Sequence, residues 1–475
     1  MSDNAPLLEN AFDLEVEEGD YAISRVDGAV PDGLRGSYYL NGPARFSRGG
    51  QGYRHWLDGD GMVCALHFGG DSGGGDGRVR FVNRYVRGQK FSAEQEADKA
   101  LFRTFGTSFE GDRLDRGIDV VSLLNVSIYP YAGTLLAFGE QGLPWELDPL
   151  TLETRGVYNF GGRLNPISPF SAHAKVDADG GLTNFGISFS ATQPSLNLYR
   201  FDADGAMVFR KRLGLDWPCS THDFTLSREH AVFYLSPYVM DMRAMMGGAT
   251  LIDALKWEPE RGNCLLVAGR GDGEEKARLS LGRGFCLHLV NSFEEEGLLV
   301  VDVVELDRPV YDQYQVVPDL FTDVRRAQPV RYRVDLGRGE VVQRQGLDYR
   351  HMADFPSVDP RLAGGPCDDF WMLGIGHTEK EGRKFFDELV HLRWSAGGPA
   401  GLWRAPAGHY LGGEPVFVPN PDDAGGTVIC QVFDAARRHS AFLLFDAFDI
   451  AAGPVATLHL ESPVHLGFHT SFAAA

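Results

Sequence analysis

The sequence predicts an all-β protein built from radial antiparallel sheets, a β-propeller. Three observations carry that prediction. An acidic, glycine-containing turn between two short apolar runs recurs along the chain. Helical signals are few, and 58 glycines with 25 prolines in 475 residues supply the dense punctuation of a turn-rich β protein.

The recurrent turn occupies residues 176–182 (Val-Asp-Ala-Asp-Gly-Gly-Leu), 201–207 (Phe-Asp-Ala-Asp-Gly-Ala-Met), 293–298 (Phe-Glu-Glu-Glu-Gly-Leu), 334–341 (Val-Asp-Leu-Gly-Arg-Gly-Glu-Val) and 445–455. Each reads as a hairpin. Hairpins repeated without helical crossovers favour radial sheets, because a propeller hides its strand edges and lets residues 1–475 form one domain. A pair of large β-sandwiches is the alternative. The irregular spacing excludes WD40 and kelch arrays.

Taken in order, residues 12–16 alternate apolar and polar and predict a strand in the acidic N-terminal stretch that ends at the turn Pro31-Asp32-Gly33. Asp58-Gly59-Asp60-Gly61 before Met62 predicts a tight turn feeding a strand, hence a hairpin. The best single helix runs from Ser92, as N-cap, to Phe105, with Glu94 and Glu96 in its first turn.

A formal charge of −20 and a pI near 5.1 argue against a nucleic-acid partner, which requires clustered cations. Six cysteines without a CxxC pair, lying in or beside apolar segments, predict free thiols in a reducing compartment. Residues 1–5 carry no basic or apolar leader signal, and no window approaches 18 uninterrupted apolar residues, so a cytoplasmic location is expected. Residues 240–252 hold Met240, Met242, Met245 and Met246, four of the nine methionines. Such a stretch reads either as a core loop or as an apolar mouth, with peripheral membrane contact as one use.

The stretch that bears most on chemistry is Phe285-Cys286-Leu287-His288-Leu289-Val290, an imidazole inside an apolar strand, where it is costly unless something binds it. His173, His222 and His469 also stand at or near strand starts, 49 residues before His222 (222−173), 66 before His288 (288−222) and 181 after it (469−288). No single loop spans these separations, so the fold must bring the four together. Four neutral imidazoles suit Fe, Cu or Zn rather than Mg or Ca. Ligand imidazoles need an orienting partner on the far nitrogen, usually a carboxylate. Glu140, after an apolar run, Asp354, before Phe355-Pro356, and Glu414, before Pro415-Val416-Phe417, are the candidates. The other ten histidines, His465 among them, read as hydrogen-bonded structure.

Together with Asn41-Gly42-Pro43, His55-Trp56-Leu57-Asp58-Gly59-Asp60-Gly61-Met62, Asp148-Pro149-Leu150-Thr151-Leu152-Glu153-Thr154, His222-Asp223-Phe224, His288-Leu289-Val290-Asn291-Ser292-Phe293-Glu294-Glu295, Glu414-Pro415-Val416-Phe417-Val418-Pro419 and Gly467-Phe468-His469, these residues resemble the carotenoid cleavage oxygenases nearly end to end. The resemblance implies a seven-bladed propeller with a dome of loops and short helices forming a substrate tunnel. It also implies one Fe(II) per chain on His173, His222, His288 and His469, with Glu140, Asp354 and Glu414 orienting three of them. O2 and an apolar polyene would be the reactants, and a C=C bond would be cleaved to two carbonyl products. Two residues depart from the family pattern. Asp354 stands where Glu is usual, which predicts a strained or water-mediated bond to its histidine, and Thr470 stands where Gly is common.

One branch of the family grips phenolic stilbenes with a lysine and a tyrosine, whose positions here are Gly139 and Phe105. Their replacement favours a carotenoid or apocarotenoid and predicts apolar, aromatic tunnel walls. Stilbene or phenylpropanoid cleavage, a non-oxidative isomerase and a ligand-binding propeller are the alternatives.

Overall fold

The structure, a computed structural model, describes residues 5–69, 79–115, 120–190, 192–315, 320–421 and 425–475. Residues 1–4, part of the N-terminal stretch read for a leader, lie outside the described residues. Seven antiparallel sheets of four or five strands make the blades of a β-propeller. All five acidic turns join paired strands. They link Lys175–Val176 to Leu182–Ser188, Ser195–Phe201 to Met207–Gly214, Phe285–Glu295 to Leu298–Leu306, Ala327–Asp335 to Glu340–Gly346, and His439–Asp446 to Ala456–His459.

Blades two to six lay down their strands in chain order, beginning with Ser127–Tyr131, Lys175–Val176, Thr225–Leu226, Phe285–Glu295 and Met352–Ser357. Several of these first strands touch the first strand of the next blade and so line the axis: Phe285–Glu295 meets Thr225–Leu226 and Met352–Ser357, which in turn meets His409–Pro419 of blade seven. Strands between the axis and the rim, such as Asp60–Phe68 and Gly426–Asp434, are buried along their whole length between neighbouring blades. Rim strands such as Met207–Gly214 alternate half-buried and exposed residues, the mark of one wet face.

The ring is closed at both termini. Blade one holds Gly36–Ala44, Asp60–Phe68 and Arg80–Tyr85, with Gly19–Ala22 on its rim and Thr470–Ala474 on its axial side. Blade seven receives Arg25–Gly28 on its rim.

Three expectations about elements need correction. Residues 12–16 are buried at Phe12, Leu14 and Val16, as the alternation requires, but they pair with no strand; Phe12 instead packs edge-on against Phe46, Trp56 and Phe385. Residues 58–61 form no hairpin turn. His55 caps the short 3-10 helix Trp56–Asp58, and the strand that follows pairs with Gly36–Ala44 across the intervening loop. The helix spans Gln89–Ala97 rather than 92–105, with Gly88 as N-cap and Asp98 in the left-handed conformation (φ 48°) ending it.

Burial shifts this helix from its propensity-based position. Lys90, 1% exposed, lies 2.7 Å from Asp60 and 2.9 Å from Glu94, and Arg48 lies 3.3 Å from Asp60. Burial alone would lower the Lys90 ammonium pKa, but Asp60, Tyr53 and Glu94 raise it above the usual lysine range. Glu94 also accepts from the backbone N–H of Leu101 and Phe102, which turns the chain away from the helix. Removing one partner of a buried ionic network strands the others, so Lys90→Met should lower unfolding free energy by about 3–5 kcal/mol. Urea denaturation of both proteins measures this, and a loss below about 1 kcal/mol, the range of exposed pairs, would contradict the network's role.

Candidate metal centre

Each blade contributes one of the seven predicted residues. His469 directly precedes the axial strand of blade one, Glu140 follows Thr134–Phe138 of blade two, and His173 and His222 precede the first strands of blades three and four. His288, Asp354 and Glu414 lie within the first strands of blades five, six and seven.

Those three strands lose register where the site residues sit. The ladder shifts between Cys286 and Asn291, between Asp354 and Ser357, and between Gly412 and Val416. A bulge re-aims a side chain that regular alternation would send into a blade interface. The next residue after Asp354, Phe355, has φ 58°, a conformation disfavoured for a bulky side chain and held here by packing on His288 and His469 at 5.5 and 5.2 Å between ring centroids. Asn41-Gly42-Pro43 places His469. The Asn41 backbone exchanges bonds with His469 and Phe468, its side chain donates to the carbonyls of Leu124 and Ser127, and a Cβ on Gly42 would meet the Gly467 Cα at 2.5 Å.

The four histidines converge: their ligand nitrogens all lie within 4.8 Å of one another, and all four residues are buried. His222 Nδ1 lies 2.8 Å from Glu140, His288 Nδ1 lies 2.5 Å from Asp354 and His469 Nδ1 lies 3.3 Å from Glu414. A carboxylate at Nδ1 holds the proton there and turns the Nε2 lone pair inward. His173 Nε2 and His222 Nε2 are then 2.9 Å apart, and His288 Nε2 is buried without a hydrogen-bond partner. Inward lone pairs this close repel unless a proton or a cation lies between them. Two nitrogens at right angles, each about 2.1 Å from one ion, would be about 3 Å apart, so the cluster fits a divalent transition metal.

Burial, then the neighbouring imidazoles, push the His173 pKa well below the usual histidine range, which keeps a ligand nitrogen free of protons. Burial also lowers His469, against the pull of Glu414. At His288 burial acts in the same direction, but the Asp354 carboxylate outweighs it and the net shift is upward.

Both departures from the family pattern are accommodated. Asp354 reaches His288 directly rather than through water, while its other oxygen lies 3.5 Å from the Tyr314 hydroxyl. The Thr470 hydroxyl donates to the Glu414 carbonyl at 3.0 Å and thereby ties the His469 segment to its acid. His465 is structural: its ring bonds the Ala11 carbonyl and the Arg45 backbone N–H, and burial lowers its pKa to about 4. Sequence reasoning missed Asp223, 3% exposed and 3.5 Å from His173 Nδ1. Its signal was adjacency, since it follows His222 in a quoted motif.

The family model of the retinal pigment epithelial membrane protein matches residues 12–474. The chain belongs to this family, the carotenoid cleavage oxygenases. It is 29% identical to an apocarotenoid-15,15'-oxygenase of Synechocystis sp., across 97% of this chain and 95% of that protein. It is 28% identical to an isoeugenol monooxygenase of Pseudomonas nitroreducens, across 95% and 94%. The crystal structure of cobalt-substituted Synechocystis apocarotenoid oxygenase superposes with a TM-score of 0.89 at 27% identity, covering 100% of both chains.

Beside the histidine cluster lies a cavity of about 260 Å³ that reaches Glu140, Ser171 near His173, and Thr221 next to His222. Its lining includes the apolar side chains of Phe105, Phe170, Met240, Met242, Met245 and Leu251. The methionine segment thus forms a cavity wall, a short helix Met242–Met246 capped by Asp241 and a second, Leu251–Ala254, capped by Thr250. Polar side chains are interspersed in the same lining: Gln141, Ser168, Ser171, Ser188, Ser220 and Thr221. The apolar and aromatic lining expected from the sequence is the larger part, with Phe185, Phe189 and Tyr311 beside Phe105 and Phe170, and the serines and Thr221 come from the polar approaches to the blade three and four strands.

Phe105 sits on the cavity, fixed by Asp58, which accepts from the Gly106 N–H and the Thr107 hydroxyl, and by His55, whose ring packs on it at 4.9 Å. Gly139 is not among the cavity's lining residues. A Cβ there would lie 2.4 Å from Ser122 Oγ and 2.9 Å from the Leu124 backbone nitrogen. Gly139→Ala should therefore cost about 1–3 kcal/mol through overpacking and, by displacing Glu140, weaken metal retention. Thermal unfolding and metal content after dialysis check this; unchanged values in both would mean the loop has room.

Proposed function

We propose that His173, His222, His288 and His469 hold one ferrous ion through Nε2, and that the protein is a dioxygenase cleaving a C=C bond of a carotenoid or apocarotenoid. The observation that carries this reading is the inward convergence of four buried imidazoles whose outer nitrogens face carboxylates, in a chain of this family. When bound, a ferrous ion supplies the redox flexibility and open coordination positions that let O2 react with an alkene, which zinc does not.

The overall change balances without another reductant. One C=C bond breaks, and each oxygen atom of O2 ends in one of two carbonyl products. The chain's own residues orient and select. Glu140, Asp354 and Glu414 keep the Nδ1 protons outward, and the insertion of residues 240–252 with Phe105 forms an apolar tunnel wall that positions the polyene. That overall change requires no net proton transfer to or from a side chain.

A second reading is favoured by the polar side chains in the lining. Its hydroxyls would suit a phenolic alkene, and the Pseudomonas relative is named for isoeugenol. Met246, 59% exposed, and Ile167, 72% exposed at the cavity's edge, support peripheral contact of this face with a bilayer. Six free thiols support a reducing, cytoplasmic setting, and no helix among the described residues is long and apolar enough to cross a membrane.

Purified protein should carry one iron per chain, and His222→Ala should lose it together with activity. With Fe(II), apocarotenals or carotenoids should yield two carbonyl products with O2 uptake. Turnover at full rate without O2 would overturn the dioxygenase reading, and cleavage of resveratrol or isoeugenol alone would overturn the polyene reading.

A further inference from the structure

Three of the four imidazoles have a dedicated acid at Nδ1; His173 does not. The carboxylate facing it is Asp223, whose Oδ1 is 3.5 Å from Nδ1. The same Oδ1 accepts from Lys175 Nζ at 2.7 Å, and Oδ2 accepts from the Leu289 backbone N–H at 2.9 Å. Asp223 is covalently next to His222, Lys175 is two residues beyond His173, and Leu289 follows His288. One buried side chain therefore joins the segments that carry three of the four histidines, across blades three, four and five.

A plain structural account makes Asp223 the partner of Lys175 and nothing more. That account leaves two features unexplained. Lys175 is 30% exposed at its side chain and could be solvated without help, whereas Asp223 is buried at 3% and spends its second oxygen on the backbone beside a ligand. The proximity to His173 Nδ1 is also what an orienting acid requires, lengthened because an ammonium competes for the same oxygen.

We propose that Asp223 is a positioning residue for the metal centre, bracing three ligand segments and orienting His173, and that Lys175 weakens its pull on that imidazole. A carboxylate at Nδ1 raises the basicity of Nε2, and an ammonium sharing the oxygen withdraws part of that effect. His173 is in this way the weakest donor of the four. The inference rests on the proposed four-histidine metal site.

The test is titration of the metal-free full-length chain with Co(II), read by its visible d–d bands and its Kd, beside circular dichroism for folding. Wild type should bind one Co(II), and His222→Ala should abolish the bands. Asp223→Asn, which keeps the shape and an oxygen but not the charge, should raise Kd about 10- to 100-fold and shift the bands. Lys175→Gln should tighten binding several-fold and shift the bands the opposite way, an effect that a merely structural ion pair would not produce. Wild-type Kd and bands in a folded Asp223→Asn overturn the proposal. Should Asp223→Asn not fold, Lys175→Gln decides alone, and unchanged or weaker Co(II) binding there overturns it. Absence of Co(II) binding by wild type overturns the metal reading itself, an outcome distinct from failure of either variant.

Discussion

Four imidazole lone pairs aimed at one another inside a protein are an unfavourable arrangement, and the rest of this structure is organised to sustain it. Glu140, Asp354 and Glu414 accept from the outer nitrogens of His222, His288 and His469, so those three rings cannot relieve the crowding by turning over. Burial removes water as a competing partner, which is why His288 Nε2 is left with none. A divalent cation among the inward nitrogens would stabilise such a cluster.

The propeller suits this task because its axial strands come from different blades and point at one place. Regular strands would waste half their side chains on blade interfaces. Register shifts in blades five, six and seven, together with the irregular approaches to blades one, three and four, turn the required residues inward. The motifs that looked like family signatures serve the same end. Asn41 and Gly42 bring two backbones close enough to seat His469, and His55 with Asp58 holds Phe105 on the cavity.

Much of the fold and of the metal centre was legible in the sequence, for definable reasons. Hairpin turns such as residues 201–207 and 293–298 are local chemistry, so each could be read where it stood. A histidine inside an apolar strand announces a cost that something must offset, and His288 did so. What sequence could not give was set by distant partners. Helix Gln89–Ala97 is fixed by Asp60 and Arg48, thirty or more residues away, and residues 12–16 answer to Trp56 and Phe385 rather than to a neighbouring strand. The polar part of the cavity lining arises from serines in separate turns that meet only in three dimensions, and Asp223 looked like a motif residue until Leu289 and Lys175 were placed around it.

The placement of His469 beside the strand that closes blade one has a consequence for when the four imidazoles can meet. A growing polypeptide has His173, His222 and His288 available long before His469, which follows His173 by 296 residues (469−173). Until that last strand docks, three imidazoles on an unclosed ring lack both the fourth donor and the enclosure that keeps solvent out. Closing the ring and completing the set of four inward nitrogens are therefore one event, and neither is finished before the C-terminal strand is in place.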